Sequence, residues 1–262
     1  MIPISVVIIA KDEERNIGRC LESVRGVADD VVVVDSGSTD RTVEICLAAG
    51  ARVVKHPFAG HVEQKNWALT QSRHPHVLSL DADEALTPEL AESMAAARND
   101  WRFDGYSMNR LTNYCGAWVR HCGWYPDPKL RLFDLRKGAW GGVNPHDHFE
   151  ITDRSAPLGN LRGDLLHYSY YSVDEHYRQM EYFARIAARE LHARGTGASA
   201  LRPAIAASAR FIRNYILRRG FLDGGTGLRV CQVDAWGAAR KYALLRELAA
   251  GGMSLPGGGD AR

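Results

Sequence analysis

An apolar run, Val77, Leu78 and Leu80, ends abruptly in three acids, Asp81, Asp83 and Glu84. If the run is a strand, its side chains alternate faces with a period of two, so Asp81 and Asp83 project together from the strand's end. Two carboxylates held this close repel each other unless a cation or a proton intervenes. Hard divalent ions such as Mg2+ take oxygen ligands, and often share one or two carboxylates with a substrate's phosphates. The pair therefore reads as a metal–diphosphate site. The competing reading is an acidic strand-to-helix turn, with Thr87 as N-cap, Pro88 at the first helical position and Glu89 in the first turn. It accounts for Thr87 and leaves Asp81 and Asp83 without a function.

The elements that would position these acids follow from hydrophobic patterning. Ile4 to Ala10 is a continuous β-branched run, the pattern of a strand buried on both faces. A helix is expected from about Asn16, with Ile17, Cys20, Leu21 and Val24 on one face. Val31–Val34 is a second short strand ending in Asp35, followed by the turn-rich Ser36-Gly37-Ser38-Thr39-Asp40 and a helix. Val53-Val54 is a third strand, residues 62–71 a further helix, and Val77–Leu80 the fourth strand. Four alternations with short connections predict a parallel sheet covered on both faces. Ligands of such sheets bind outside the carboxyl ends of the strands. Asp12, Asp35, Asp81 and Asp83 all fall just past such ends, and four acids on one rim require cations or hydrogen-bond donors to meet them.

Beyond about residue 100 the alternation stops. Residues 105–150 hold strand-like pieces (106–111 and 130–133) among aromatic, glycine-rich loops carrying Trp118, Trp124, Tyr125 and Trp140. Ser172-Val-Asp-Glu175 is a capping box opening a helix to about Ala193. Two further helical stretches are expected near residues 202–219 and 228–248. The expected organisation is a catalytic domain over 1–170, a helical region over 171–250 that contacts an acceptor or a membrane surface, and a disordered tail over 251–262.

A chain of 262 residues can bury a full core, and 45% hydrophobic with 24% charged residues is ordinary for a folded soluble protein. The net charge of +2 hides a basic last third, which suits an anionic surface or a phosphorylated glycan. Five cysteines without a C-x-x-C pair favour a reducing compartment. Met1 leads straight into a strand, and no apolar run reaches the roughly 18–20 residues that span a bilayer. The expectation is a cytoplasmic protein, with a peripheral position on the inner face of the cytoplasmic membrane left open.

Neither G-x-x-x-x-G-K-[ST] nor G-x-G-x-x-G follows the first strand. That strand ends instead in Lys11-Asp-Glu-Glu14, whose acids can accept hydrogen bonds from a ribose or a base. The chemistry implied is a nucleotide whose diphosphate is held by metal rather than by a glycine loop. The segments Ser5-Val-Val-Ile-Ile-Ala-Lys-Asp-Glu-Glu14, Val32-Val-Val-Asp-Ser-Gly-Ser-Thr-Asp-Arg-Thr42, Gln64-Lys-Asn-Trp-Ala-Leu69 and Leu78-Ser-Leu-Asp-Ala-Asp-Glu84 resemble those of family 2 glycosyltransferases with the GT-A fold. Gly123-Trp-Tyr-Pro-Asp127, Arg131-Leu-Phe133, Leu166-His-Tyr-Ser169 and Gly220-Phe-Leu-Asp-Gly224 are similar to the branch containing bacterial lipopolysaccharide inner-core β-glucosyltransferases.

The resemblance implies an α/β, mostly parallel Rossmann-like sheet with helices on both faces and a helical C-terminal extension. It implies an inverting, metal-dependent transfer of a sugar, glucose being expected, from a UDP-sugar to an envelope glycan, with Mg2+ or Mn2+ as cofactor. Its partners are the UDP-sugar donor and a glycolipid or envelope-glycan acceptor, with an anionic membrane surface as a further candidate and no nucleic acid. By position, Asp35, the Ala10–Asp12 segment, Lys65 and Asp81 correspond to the nucleotide pocket, and Asp83 and His167 to metal ligands. The catalytic base falls on Asp147, one methylene shorter than the glutamate of the branch and preceded by Pro145-His146, with Glu150 as fallback. Trp124, Tyr125, Asp127 and Arg131 are candidate sugar or acceptor contacts. Two other classes stay open, a sugar nucleotidyltransferase and a non-catalytic module that binds glycan or nucleotide sugar. The acidic segment after the first strand speaks against the former, and the joint presence of Asp83, Asp147 and His167 against the latter.

Overall fold

A computed structural model describes residues 1–143, 146–197 and 199–251. The expected tail, from residue 252 on, lies outside them, as does Pro145. In chain order the elements are β1 (Ile4–Ala10), α1 (Ile17–Ser23), β2 (Asp30–Asp35), α2 (Thr42–Ala48), β3 (Arg52–Lys55), α3 (His61–Leu69), β4 (His76–Asp81), β5 (Glu84–Leu86), α4 (Pro88–Asn99) and β6 (Gly105–Tyr114). They continue with β7 (Ala117–Val119), β8 (Pro128–Asp134), β9 (Gly138–Val143), β10 (His146–Ile151), β11 (Leu158–Tyr170), α5 (Val173–Ala193), α6 (Arg202–Phe211), a π-helix (Ile212–Leu217) and α7 (Gly224–Ala249). Chain packing separates two compact units. One is Met1–Leu111 with Asp127–Tyr168, and the other is Thr112–Pro126 with the chain from Ser169 onward.

The first unit is built on the four predicted strands. β3, β2, β1 and β4 lie side by side and parallel. Both faces are covered because the β-branched runs present apolar side chains to both sides. Ile4, Val6 and Ile8 of β1 pack with Ile17 and Cys20 of α1 and Leu90 and Met94 of α4. Val7, Val32 and Val34 face the other way, against Ala68 and Leu69 of α3 and against Phe133, Trp140 and Phe149. Beyond β4 the sheet continues through β8, β6, β11 and β5, with β4–β8, β8–β6 and β11–β5 antiparallel. β9 and β10 form a separate antiparallel pair.

The helical expectations hold with small shifts. Thr87 accepts a hydrogen bond from the Leu90 N–H and opens α4 with Pro88 in its first turn. The Ser172–Glu175 capping box opens α5. The stretch expected as one helix from 202 to 219 is α6 passing into the π-helix, and α7 begins at Gly224.

In the second unit, α7 packs against both α5 and α6. Tyr114, Val119, Cys122, Tyr170, Val230 and Cys231 form one core cluster, and Ala184, Ala188, Leu244 and Leu245 another.

Candidate functional site

The register of the parallel strands brings the acids of the first unit together. Ala10 lies opposite Asp35 and Ile9 opposite Asp81, so the ends of β2 and β4 flank the end of β1. The donors such a rim requires come from three sources. Asp35, almost wholly buried, turns back on its own loop and accepts from the Gly37 and Ser38 N–H groups at 3.1 Å each. Asp12, at φ 53°, accepts from the Thr39 N–H at 2.7 Å and the Thr39 hydroxyl at 3.1 Å, while its own N–H donates to Ser38 Oγ. The Ala10 carbonyl accepts from the Ser36 N–H at 2.9 Å. The nucleotide-pocket candidates Ala10, Asp12 and Asp35 thus form one cross-linked β1–β2 corner.

Side-chain cations meet Asp81. Lys65 on α3 is only 3% exposed, and its Nζ lies 2.9 Å from Asp81 Oδ1 and 2.7 Å from Asp147 Oδ2. Arg131 on β8 donates to Asp81 Oδ2 at 2.7 Å and to Glu84 Oε1 at 2.8 Å. Burial alone would push the Asp81 pKa up, but the charges of Lys65 and Arg131 outweigh it and hold the carboxyl well below its ordinary value. Arg131 is buried as well, which works against its charge, yet Glu84 and Asp81 raise its pKa further above the guanidinium value. Trp140 on β9 lies beside both cations, its ring centre 4.5 Å from Lys65 Nζ and 5.4 Å from the Arg131 guanidinium carbon. Arg131 Nε and Trp140 Nε1 are buried donors without a hydrogen-bond partner among the described residues.

Asp83 behaves differently from Asp81. β4 ends at Asp81, so Asp83 sits in the following turn and the strand's period of two does not reach it. Its Oδ2 lies 3.3 Å from His167 Nε2 on β11, and its carbonyl accepts from the Tyr168 N–H at 2.9 Å. The pairing of β11 with β5, which sets His167 opposite Glu84, holds this histidine at the end of β4. Among the described residues no group of three or more His, Cys, Asp or Glu side chains could hold a metal alone. An Asp–His pair fits an ion that draws its remaining ligands from phosphate oxygens and water.

Asp147 is on β10 opposite Gly142 of β9, close to Lys65 and far from it in sequence. Glu150, the fallback base, is more than half exposed and pairs with His148 at 3.0 Å. The remaining candidates divide between the units. Arg131 lies beneath Asp81. Asp127 pairs with Arg110 and Lys129 at 2.9 Å each, in the first unit. Trp124 and Tyr125 belong to the second unit. There Trp124 packs against Tyr114, Tyr170 and His176, while Tyr125 lines a cavity of about 360 Å3 with Arg120, His121, Gly123, Pro126 and Arg218. Gly123, at φ +80°, leaves the room that Arg218 fills, since a Cβ there would meet its guanidinium at 2.1 Å. Asp223 of the Gly220–Gly224 motif accepts from the His121 N–H at 2.8 Å and contacts His121 Nδ1 at 2.7 Å, so that motif fixes the turn bearing these residues.

Two residues of this network escaped sequence reading. Glu84 is fully buried, accepts from the Asp81 N–H at 2.9 Å and binds Arg131. Its place in Asp81-Ala-Asp-Glu84 was visible, but its inward orientation was not. Arg110, 3.7 Å from Glu84, carried no signal beyond lying in a strand-like run.

A family model described as "Glycosyl transferase family 2" matches residues 5–155. An uncharacterized glycosyltransferase of Rickettsia typhi is 30% identical over 254 residues, covering 94% of this chain and 87% of that protein. The lipopolysaccharide core biosynthesis glycosyltransferase LpsC of Rhizobium meliloti is 33% identical over 188 residues, 66% of each chain. Among solved structures, glucosyl-3-phosphoglycerate synthase from Mycobacterium tuberculosis, in complex with Mn2+, UDP and glucosyl-3-phosphoglycerate, aligns at 27% identity with a TM-score of 0.36. That alignment covers 42% of this chain and 44% of that one.

Proposed function

This chain belongs to glycosyltransferase family 2, a family of enzymes with the GT-A fold, and on that premise we propose that it is an inverting, divalent-cation-dependent hexosyltransferase. Its donor is a UDP-sugar, UDP-glucose in the first instance, and its acceptor a hydroxyl of a bacterial envelope glycan such as the lipopolysaccharide inner core. The observation that carries the reading is the double ion pair of Lys65, which ties the acid at the end of β4 to Asp147 on β10. One buried cation thereby joins the nucleotide-side motif to the carboxylate in the base position. The name of the Rhizobium relative, from lipopolysaccharide core biosynthesis, supports the acceptor class.

The β1–β2 corner of Ala10, Asp12 and Asp35 would bind the nucleoside, with Asp81 towards the ribose. Lys65 and Arg131 keep Asp81 ionised and fixed, and the spare donors on Arg131 and Trp140 suit an anionic ligand. Asp83 and His167 would hold Mg2+ or Mn2+, which when bound offsets the charge growing on the leaving diphosphate. Asp147 accepts the proton of the acceptor hydroxyl as that oxygen bonds to the anomeric carbon and the bond to the nucleoside diphosphate breaks on the opposite face. Trp124, Tyr125 and Arg120, in the second unit, are further candidate acceptor contacts, a combination that suits a phosphorylated sugar.

The test is a panel of UDP-sugars with purified protein and Mn2+ or Mg2+, followed as UDP release with and without EDTA. One sugar should be turned over, EDTA should stop it, and Asp83→Asn should lower the rate by about 10^2-fold or more. Undiminished turnover by Asp83→Asn would sink the metal assignment. UDP-sugar binding without turnover on any acceptor would favour a non-catalytic module.

A further inference from the structure

Between Glu190 and Asp223 the chain carries six arginines and no acid. Arg202, Arg210, Arg213, Arg218 and Arg219 form no ion pair among the described residues, and Arg194 makes a single surface pair with Glu190 at 4.0 Å. Arg202 lies over the Tyr242 ring. Arg213 is close enough to Arg210 and Arg218 that, together with burial, they push its pKa down. Such an accumulation of one charge is unfavourable unless counter-charges arrive from outside.

The same segment holds most of the exposed large aliphatic side chains. Leu201, Ile205, Ile212 and Ile216 are spaced four, seven and four residues apart, which places them on one stripe of α6 and the π-helix. Leu217, Phe221 and Leu222 follow at once, and these seven residues are 48% to 71% exposed. The stripe is not the face turned to the protein core. Phe211 and Tyr215 take that side, packed on the cluster around Cys122 and Cys231, and the buried Asn214 donates to Asp234 at 2.8 Å. The helix is therefore apolar on its outer face as well as its inner one, and Arg202, Arg213, Arg218 and Arg219 of the same segment are exposed. A contiguous apolar patch rimmed by charge marks an interaction surface.

We propose that α6, the π-helix and the Gly220–Asp223 turn form a docking surface for an anionic lipid bilayer, the aliphatic stripe entering the headgroup boundary and the arginines pairing with lipid phosphates. The charge pattern selects this occupant. A second copy of the chain on a two-fold axis would bring the arginine-rich segment against itself with no acid to meet it. A soluble polyanion would answer the arginines but leave the aliphatic stripe in water. Exposed aliphatic side chains that enter the headgroup boundary, with arginines nearby to meet anionic lipid, are what holds an interfacial helix to a membrane. The inference goes beyond the transfer reaction, and vesicle binding requires neither donor nor metal, so its failure would leave the catalytic reading intact.

The experiment is co-sedimentation of the full chain with vesicles of phosphatidylcholine alone, or with roughly 30% phosphatidylglycerol added, at low and high salt. The protein should bind the anionic vesicles, and salt should release it. Ile212→Ser/Ile216→Ser should weaken binding about tenfold or more, since two aliphatic side chains no longer enter the interface. Arg210→Gln/Arg213→Gln should weaken it about fivefold per charge. Circular dichroism of each variant separates lost binding from lost folding, and Leu217→Ser replaces the double variant if that misfolds. No binding of the wild-type chain to anionic vesicles at low salt overturns the proposal. So does unchanged binding by a folded serine variant, or a wild-type dimer in sedimentation equilibrium that the serine variant dissociates.

Discussion

The rim at the ends of β1, β2 and β4 and the segment from Leu191 to Leu222 handle charge in opposite ways. On the rim every buried charge has a counterpart within the first unit. Lys65 lies between Asp81 and Asp147, Arg131 between Asp81 and Glu84, and backbone N–H groups meet Asp35. In the segment every arginine but Arg194 lacks an ion pair among the described residues, and the aliphatic stripe is exposed. Desolvation explains the difference. A charge taken out of water is tolerated only when paired and hydrogen-bonded, whereas an exposed arginine keeps its water and can await a partner. The rim is a preorganised site, and the segment is a surface completed from outside.

The largest catalytic consequence of the rim's internal pairing falls on Asp147. Asp147→Asn should reduce transfer by about 10^2 to 10^4-fold, the usual contribution of a positioned general base. UDP binding, read by calorimetry, should stay within a few-fold, because Lys65 still holds Asp81. A parallel loss of UDP affinity would reassign Asp147 to organising the nucleotide side of the rim.

Arg131→Met tests the claim of internal compensation itself. It removes the nearer cation of the fully buried Glu84, leaving it Arg110 at 3.7 Å and the Asp81 N–H, and removes one of the two cations on Asp81. Removing one partner of a buried pair typically costs about 3–5 kcal/mol, which urea denaturation would register. A cost below about 1 kcal/mol, the range of exposed pairs, would mean that water or Arg110 takes the place of Arg131 at Glu84.

What was legible from the residues follows the same physical line. The four parallel strands declared themselves because strands buried on both faces are written in continuous β-branched residues, such as Ile4–Ala10 and Val31–Val34. The acids were legible because a carboxylate ending such a run has few structural uses. β11 was not, since Leu158–Tyr170 mixes buried and exposed positions and carries glycine, asparagine and aspartate. β9 and β10 were hidden by the glycines of Gly138-Ala-Trp-Gly-Gly142, which read as loop, although a Cβ at Gly138 would meet the Glu150 backbone and the Phe149 ring of β10. The pairing of Lys65 with Asp147 was beyond reach, because contacts between α3 and β10 depend on tertiary packing.

A smaller effect concerns acid. Because the folded-state pKa of Asp81 is depressed, the stability it contributes is present above the unfolded value and is lost as pH falls through the folded one. The gap in unfolding free energy between wild type and Asp81→Asn should therefore be nearly constant from pH 7 down to about pH 4 and should narrow below it. Urea denaturation across that range checks the sign. A gap that narrowed already between pH 7 and 5 would place the Asp81 pKa above the ordinary carboxylate value, and Lys65 and Arg131 would then not be its compensating charges.

The smallest expected effect is the most discriminating for the other half of the comparison. Ile216→Ser changes a side chain 54% exposed on the outer stripe. If that stripe contacts nothing in the folded chain, serine there should alter unfolding free energy by no more than about 0.5 kcal/mol, as for an ordinary surface position. Serine at a core isoleucine such as Ile8, wholly buried in β1, should instead cost several kcal/mol, about 2–5. A loss above about 1 kcal/mol at Ile216 would show that the stripe is packed in solution and that the segment, like the rim, is satisfied from within. A near-zero loss leaves an aliphatic surface that contributes nothing to folding, and its use must then lie in what it meets outside the chain.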